Sequence, residues 1–189
     1  MERQEGDPPN TEIHKVATEN SGNQILFTTF NQDQGCFACG TENGFKIFNS
    51  YPFKDSHKRK LEGGIGIVEM MFRSNILALV GGGQKPKFAM NKVFLWDDLS
   101  FRCIGELSFK ATVRAVKLTK TKIVVVLENR TLVFNFDDLR TIDSINTCLN
   151  VKGLVALSPD QENSVLATPE EEKGYVRINV YDKSKSLRF

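Results

Sequence analysis

Histidine is nearly absent from this sequence, cysteine is sparse, and no long apolar run occurs. The longest uninterrupted apolar stretches, 76–80 and 123–127, hold five residues each. A helix that crosses a bilayer needs about 20, so neither stretch spans a membrane. The first 23 residues contain no apolar core of a secretion signal, and the chain is expected to be cytoplasmic. The two histidines, His14 and His57, stand in polar stretches without metal-ligand spacing. Of four cysteines, Cys36 and Cys39 form a CxxC pair, but within a β-like run. A three-residue offset on a strand sends the two side chains to opposite faces. Cys103 and Cys148 supply no second pair, so buried thiols are expected, with no metal and no cofactor. The sequence has neither HExxH nor GxSxG, and neither GxGxxG nor a P-loop, so no catalytic constellation is expected. The net charge is only +2, which gives no general attraction to nucleic acid or to a membrane surface.

What is present is a repeat. Short apolar runs end in an aromatic residue followed by Asp or Asn: Phe48-Asn49, Trp96-Asp97, Phe136-Asp137 and Tyr181-Asp182. The steps between these aromatics are 48, 40 and 45 residues. A period of roughly 40–45 residues with a Trp-Asp-like ending marks a propeller blade of four strands. The aromatic is expected to end an inner strand and to pack between neighbouring sheets, with Trp96 buried there. The Asp or Asn after it bonds local backbone and starts the turn to the outer strand. Phenylalanine, at 14 residues, joins Val and Ile in favouring strands.

The segments between the endings fit. The first blade reads as strands over 25–30, 36–40 and 45–49, with Asn43-Gly44 as a hairpin turn. The basic run 57–60 follows, as a solvated loop or outer edge. The second blade reads as strands over 67–73, 76–80, 93–96 and 102–109. Its loop Gly81-Gly82-Gly83 is taken as a propeller loop rather than a phosphate cradle. Strands over 113–118, 123–127, 131–136 and 140–145 make the third blade. The fourth reads as 153–157, 165–168 and 175–181, with room after Asp182 for a short final strand at most. Residues 1–23 are polar, contain Pro8-Pro9, and read as a disordered arm. The expected organisation is therefore all-β, a partial β-propeller over 24–189.

Particular residues carry a closer resemblance. Phe30-Asn31-Gln32-Asp33, Phe37-Ala38-Cys39-Gly40 and Asn43-Gly44-Phe45 belong to it, as do Val68-Glu69-Met70 and the stretch 77–83. Asn91-Lys92-Val93, Trp96-Asp97-Asp98, Val113-Arg114-Ala115-Val116 and Lys152-Gly153-Leu154 extend it. Together these resemble the PROPPINs, the phosphoinositide-binding WD-repeat propellers of autophagy. The resemblance runs from Ile25 to about Tyr181. It implies about four blades of a seven-bladed propeller, and a non-enzymatic scaffold. Such a scaffold binds phosphatidylinositol 3-phosphate and 3,5-bisphosphate and recruits a rod-shaped lipid-transfer protein to forming autophagosomes. It would be cytoplasmic and peripheral to autophagosome-precursor or endosomal membranes. Asn31 and Asp33 match positions that contact that partner, and the loop with Lys85 and Lys87 is expected to add to the surface.

The family's lipid site centres on a Phe/Leu-Arg-Arg-Gly motif, and no Arg-Arg-Gly occurs here. The chain therefore reads as the N-terminal half of such a protein, with Arg177 as its one weak lipid candidate. The alternatives are a WD-repeat interaction module without lipid binding and, with little support, an enzyme on a small closed propeller.

Overall fold

Period-two alternation and Gly/Asn turns produce strands throughout the described residues, which are 23–160, 163–182 and 186–187 of a computed structural model. The expected arm over 1–23 lies, except for Asn23, outside them. Four antiparallel sheets form, each of four strands in chain order. Blade 1 holds β1 (Ile25–Phe30), β2 (Cys36–Thr41), β3 (Gly44–Asn49) and β4 (Lys54–Lys60). Blade 2 holds β5 (Ile65–Met70), β6 (Ile76–Gly81), β7 (Lys92–Asp97) and β8 (Arg102–Ser108). Blade 3 holds β9 (Ala115–Leu118), β10 (Lys122–Val126), β11 (Arg130–Asn135) and β12 (Thr141–Asn146). Blade 4 holds β13 (Ala156–Leu157), β14 (Asn163–Pro169), β15 (Val176–Asp182) and β16 (Ser186–Leu187). The first strands β1, β5, β9 and β13 touch in succession and lie nearest the propeller axis.

The core lies between sheets. Along β6, Leu77 and Leu79 pack on blade 1, while Ala78 and Val80 pack on blade 3. Along β10, Ile123 and Val125 face blade 2, and Val124 faces blade 4 with Val133, Ile145 and Leu166. Side chains on a strand point alternately to its two faces, so both faces being covered explains these unbroken apolar runs. Gly40 shows how closely the blades approach: a Cβ there would sit 2.3 Å from the Ile65 carbonyl oxygen.

The aromatic endings fall on the third strand, not on an innermost one. Phe48, Trp96 and Tyr181 lie on β3, β7 and β15, and Phe136 directly follows β11. The ladder to the fourth strand shifts register between the fourth and fifth residues of the third strand in three blades, at Ile47/Phe48, Leu95/Trp96 and Val133/Phe134, so Phe134 rather than Phe136 is the blade 3 counterpart of Phe48 and Trp96. Phe48 is fully buried. Trp96 is only half-buried, packing on the core between blades 1 and 2. Its indole Nε1 donates to Asp98 at 3.2 Å, so its polar edge stays near the rim. The following Asp acts as expected. Asp97 accepts from the backbone N–H of Leu99 at 3.0 Å, and the Ser100 hydroxyl and Asn75 amide hold its carboxyl down to about 2.

Two expectations are corrected. The inner strand expected over 153–157 is only Ala156–Leu157. Gly153 sits at φ 67° in a turn that Asn150 closes through both its amide atoms and Leu154. The thiols are not uniformly buried. Cys36 and Cys39 are, but Cys103 is exposed on β8, the outermost strand of its sheet.

Polar links fix the blades against one another. Gln32, in the β1–β2 turn, donates to the carbonyls of Met70 at 2.7 Å and Leu118 at 2.9 Å, and accepts from Phe72 N–H at 2.7 Å. One side chain thus ties blades 1, 2 and 3. Arg59 on β4 makes a bidentate pair with buried Asp98, at 2.7 and 2.9 Å, and lies over the Phe101 ring. Glu69 on β5 is 3% exposed and accepts from Lys117 of β9 at 3.1 Å. Burial outweighs Lys117 and pushes the Glu69 carboxyl up to about 7.

Gln32→Ala is expected to lower stability by about 2–4 kcal/mol in urea unfolding, since three net hydrogen bonds of about 1 kcal/mol each are lost. The Glu69 carboxyl titrates higher in the folded chain than its ordinary 4.5. Its protonated form therefore adds stability that is complete below about 4.5 and is lost as pH rises to about 7. The melting midpoint should fall between about pH 5 and about pH 8, and Glu69→Gln should flatten that fall.

Candidate partner-binding surface

In an antiparallel blade, the turns after the first and third strands lie at one end, and the other connections lie at the opposite end. Asn31 and Asp33 occupy the first kind of turn, β1–β2, and Lys85 and Lys87 the second kind, β6–β7. The four residues expected to form one surface are therefore divided between the two ends of the propeller.

Asn31 is 4% exposed. Its Oδ1 accepts from Cys36 N–H at 3.0 Å, and its Nδ2 donates to the Phe72 carbonyl of blade 2 at 3.2 Å. The whole amide is used internally, so Asn31 shapes the turn rather than facing outward. Asp33 does face outward. Its Oδ1 accepts from Gly35 N–H at 2.8 Å, and its Oδ2 pairs with Arg73 Nε at 3.2 Å across the blade 1–blade 2 boundary. The Gly35 N–H, aided by Arg73, holds the Asp33 carboxyl below the usual carboxylate range. Both side chains remain about half exposed, at 47% and 59%. Lys120, from the next blade, lies 5.7 Å over the Phe72 ring. Asp33, Arg73 and Lys120 thus stand together at this end, above the turns that Gln32 and Asn31 lock.

At the other end, the loop carrying Lys85 and Lys87 is pinned through its backbone. Gly64 N–H donates to Lys85 O at 2.8 Å, and Lys87 N–H donates to Gly64 O at 3.0 Å. The Gln84 N–H reaches the Glu42 carboxylate at 3.1 Å. The glycine loop therefore holds a carboxylate of the protein's own. Both lysine side chains are exposed.

Arg177 on β15 is engaged from Nε to Glu170 at 2.6 Å, and its Nη2 binds the other oxygen of the same carboxylate. That fork spends the geometry a phosphate would need. Among the described residues no cluster of His, Cys, Asp and Glu has the arrangement of a metal site. The same residues contain no helix long and apolar enough to cross a membrane. Sequence reasoning missed Gln32, Arg59 and Glu69. Gln32 sits between two polar residues of a turn, and only the three-dimensional approach of blades 2 and 3 distinguishes it from Gln34.

The family model described as PROPPIN matches residues 25–188. SVP1-like protein 2 of Debaryomyces hansenii is 43% identical over 148 residues, 75% of this chain and 34% of that protein. Autophagy-related protein 18 of Kluyveromyces marxianus is 36% identical over 149 residues, 79% of this chain and 29% of the relative. The chain thus spans about a third of the length of these curated relatives. The crystal structure of Hsv2 from Kluyveromyces marxianus superposes with a TM-score of 0.73 at 25% identity, over 85% of this chain and 49% of that one. Four blades, the shared third-strand endings and these matches together place the chain in the PROPPIN family.

Proposed function

We propose that this chain serves autophagy as a scaffold, and that it supplies the partner-recruiting side of a phosphoinositide-effector propeller. The partner is a lipid-transfer protein, brought to membranes bearing phosphatidylinositol 3-phosphate. The observation that carries this reading is the exposed Asp33–Arg73 pair on turns locked by Asn31 and Gln32. A rigid polar pair at a blade boundary presents fixed charges without a large ordering cost on binding. Membership in a family whose named relatives include an autophagy-related protein supports the setting. Lys85 and Lys87 belong, in this reading, to a separate surface at the opposite end.

A propeller module without lipid binding is the second reading. Arg177 favours it for these residues, because its guanidinium is already forked onto Glu170. The two readings part at the membrane and agree on protein recruitment.

Asp33→Ala should weaken capture of the lipid-transfer partner in a pull-down while leaving the circular dichroism spectrum and melting midpoint unchanged. Asn31→Ala should weaken capture and also lower the midpoint, because it frees the buried Cys36 N–H and the part-buried Phe72 carbonyl. Capture unaffected by Asp33→Ala removes the recruiting role from this end.

Liposome flotation addresses the lipid. Vesicles containing phosphatidylinositol 3-phosphate should bind this chain no better than vesicles of equal charge without it, at physiological salt where exposed charges are screened beyond about 8 Å. A preference that survives charge reversal at Lys58 and Lys60 would place a lipid site within these blades.

A further inference from the structure

Two positions recur in the blade seams at the end opposite Asp33. One is the second residue of the third strand: Phe45 on β3, Val93 on β7 and Thr131 on β11. The other follows the fourth strand, and its N–H donates back to the turn before the third: Leu61 to Asn43, Phe109 to Asn91 and Thr147 to Asn129. In blades 1 and 2 both positions are apolar and belong to the core shared with the next blade. In blade 3 both are threonine. A third threonine, Thr168 on β14, faces them from blade 4. Val133, Ile145 and Leu166 pack together across the blade 3–4 seam. Thr131, Thr147 and Thr168 each stand two residues from one of these, on the same face and toward the same end. They form the next layer of that seam.

The three threonines are 0%, 6% and 2% exposed. None of their hydroxyls has a hydrogen-bond partner among the described residues. Other polar groups on this seam are answered. Ser164 donates to the Asp160 carbonyl at 3.2 Å, and Asp143 accepts from Asn179 and Tyr181. Burying a hydroxyl without a partner is unfavourable. Threonine also fills less volume than the Phe and Leu of the other seams, and protein interiors leave few gaps of that size.

We infer that this layer is a binding site for ordered water, held between blades 3 and 4 by Thr131, Thr147 and Thr168. Water fits the chemistry of the layer. Each hydroxyl can donate and accept, and a buried water typically makes about three hydrogen bonds. The nearest guanidinium calls for no anion here: Arg177, opposite Thr168 on the β14–β15 ladder, is already forked onto Glu170. The blade 3–4 seam is thus a wet joint where the two seams before it are apolar. This site is separate from the Asp33–Arg73 surface and does not depend on its role.

The test replaces each threonine by valine, which keeps the shape and removes the hydroxyl, and follows the melting midpoint of the chain. Thr141→Val, at an exposed position of β12, corrects for the strand preference of valine. A hydroxyl that binds water loses a net hydrogen bond. Thr131→Val, Thr147→Val and Thr168→Val should therefore each melt about 2–4 °C below the corrected reference. Thr131→Val with Thr168→Val should cost clearly less than the two singles added, because a shared water is lost only once. A crystal structure of the chain should show solvent density about 2.7–3.0 Å from at least two of the three Oγ atoms. A corrected midpoint at or above wild type in any of the three variants would overturn the site, since an unpartnered buried hydroxyl is better removed. Strictly additive costs, or a layer without solvent density, would also overturn it. Density for a larger molecule there would overturn the choice of water.

Discussion

Blades 2 and 3 of this protein depend on being covered on both faces, each by the blade on either side of it. A single four-stranded sheet with apolar residues on both sides exposes one of them to water, and each buried Val, Leu or Ile contributes roughly 1.5–3 kcal/mol only when a neighbour covers it. Strand β6 shows the consequence. Leu77 and Leu79 are spent on blade 1, Ala78 and Val80 on blade 3, and all four are 0–1% exposed. Neither blade 2 nor blade 3 has a core of its own; each core is a shared seam. Stability in such an array is a sum over seams, so a substitution at Val124 acts on the blade 3–4 seam and leaves the Leu77–Leu79 seam alone.

Apolar burial is non-directional and does not by itself fix how one sheet rotates on the next. The polar links do. Gln32 sets the axial end of blades 1, 2 and 3 through carbonyls and one N–H at fixed positions. Arg59 and Asp98 set the rim of the blade 1–2 seam, with the Trp96 indole donating to the same carboxylate. Asp143 sets the blade 3–4 seam by accepting from Asn179 at 3.3 Å and Tyr181 at 3.1 Å. The aromatic endings thus have two kinds of role. Phe48 fills space, while Trp96 and Tyr181 fill space and carry a donor to an acid at the blade boundary.

The blades were legible in the sequence because their cause is local: period-two alternation, an aromatic ending, and an Asp that folds onto its own turn. Strand ends differed by a few residues where a glycine intervened, as at Gly153. The candidate surface was less legible because its causes are not local. Asn31 is polar and lies in a turn, which reads as exposed, yet the Phe72 carbonyl of another blade draws its amide inward. Arg59 reads as one of four basic residues in a row, but register turns it toward blade 2 while Lys58 and Lys60 face away. The separation of Lys85 and Lys87 from Asp33 had a readable signal. Counting hairpins places alternate turns at opposite ends, so a β1–β2 turn and a β6–β7 loop cannot share one.

The two ends then differ for a physical reason. At the Asp33 end, Asp33 is paired with Arg73, and Lys120 lies over the face of Phe72. Such pairs are weak in water, typically below about 1 kcal/mol, so an incoming partner displaces them at little cost and meets a turn already held by buried hydrogen bonds. At the opposite end the Gln84 backbone N–H holds the Glu42 carboxylate at 3.1 Å. Because the four-stranded scaffold is the same at both ends, the difference lies entirely in which charges the turns compensate. For the proposed recruiting role, the Asp33 end offers a reversible contact in which fixed and already solvated charges are exchanged.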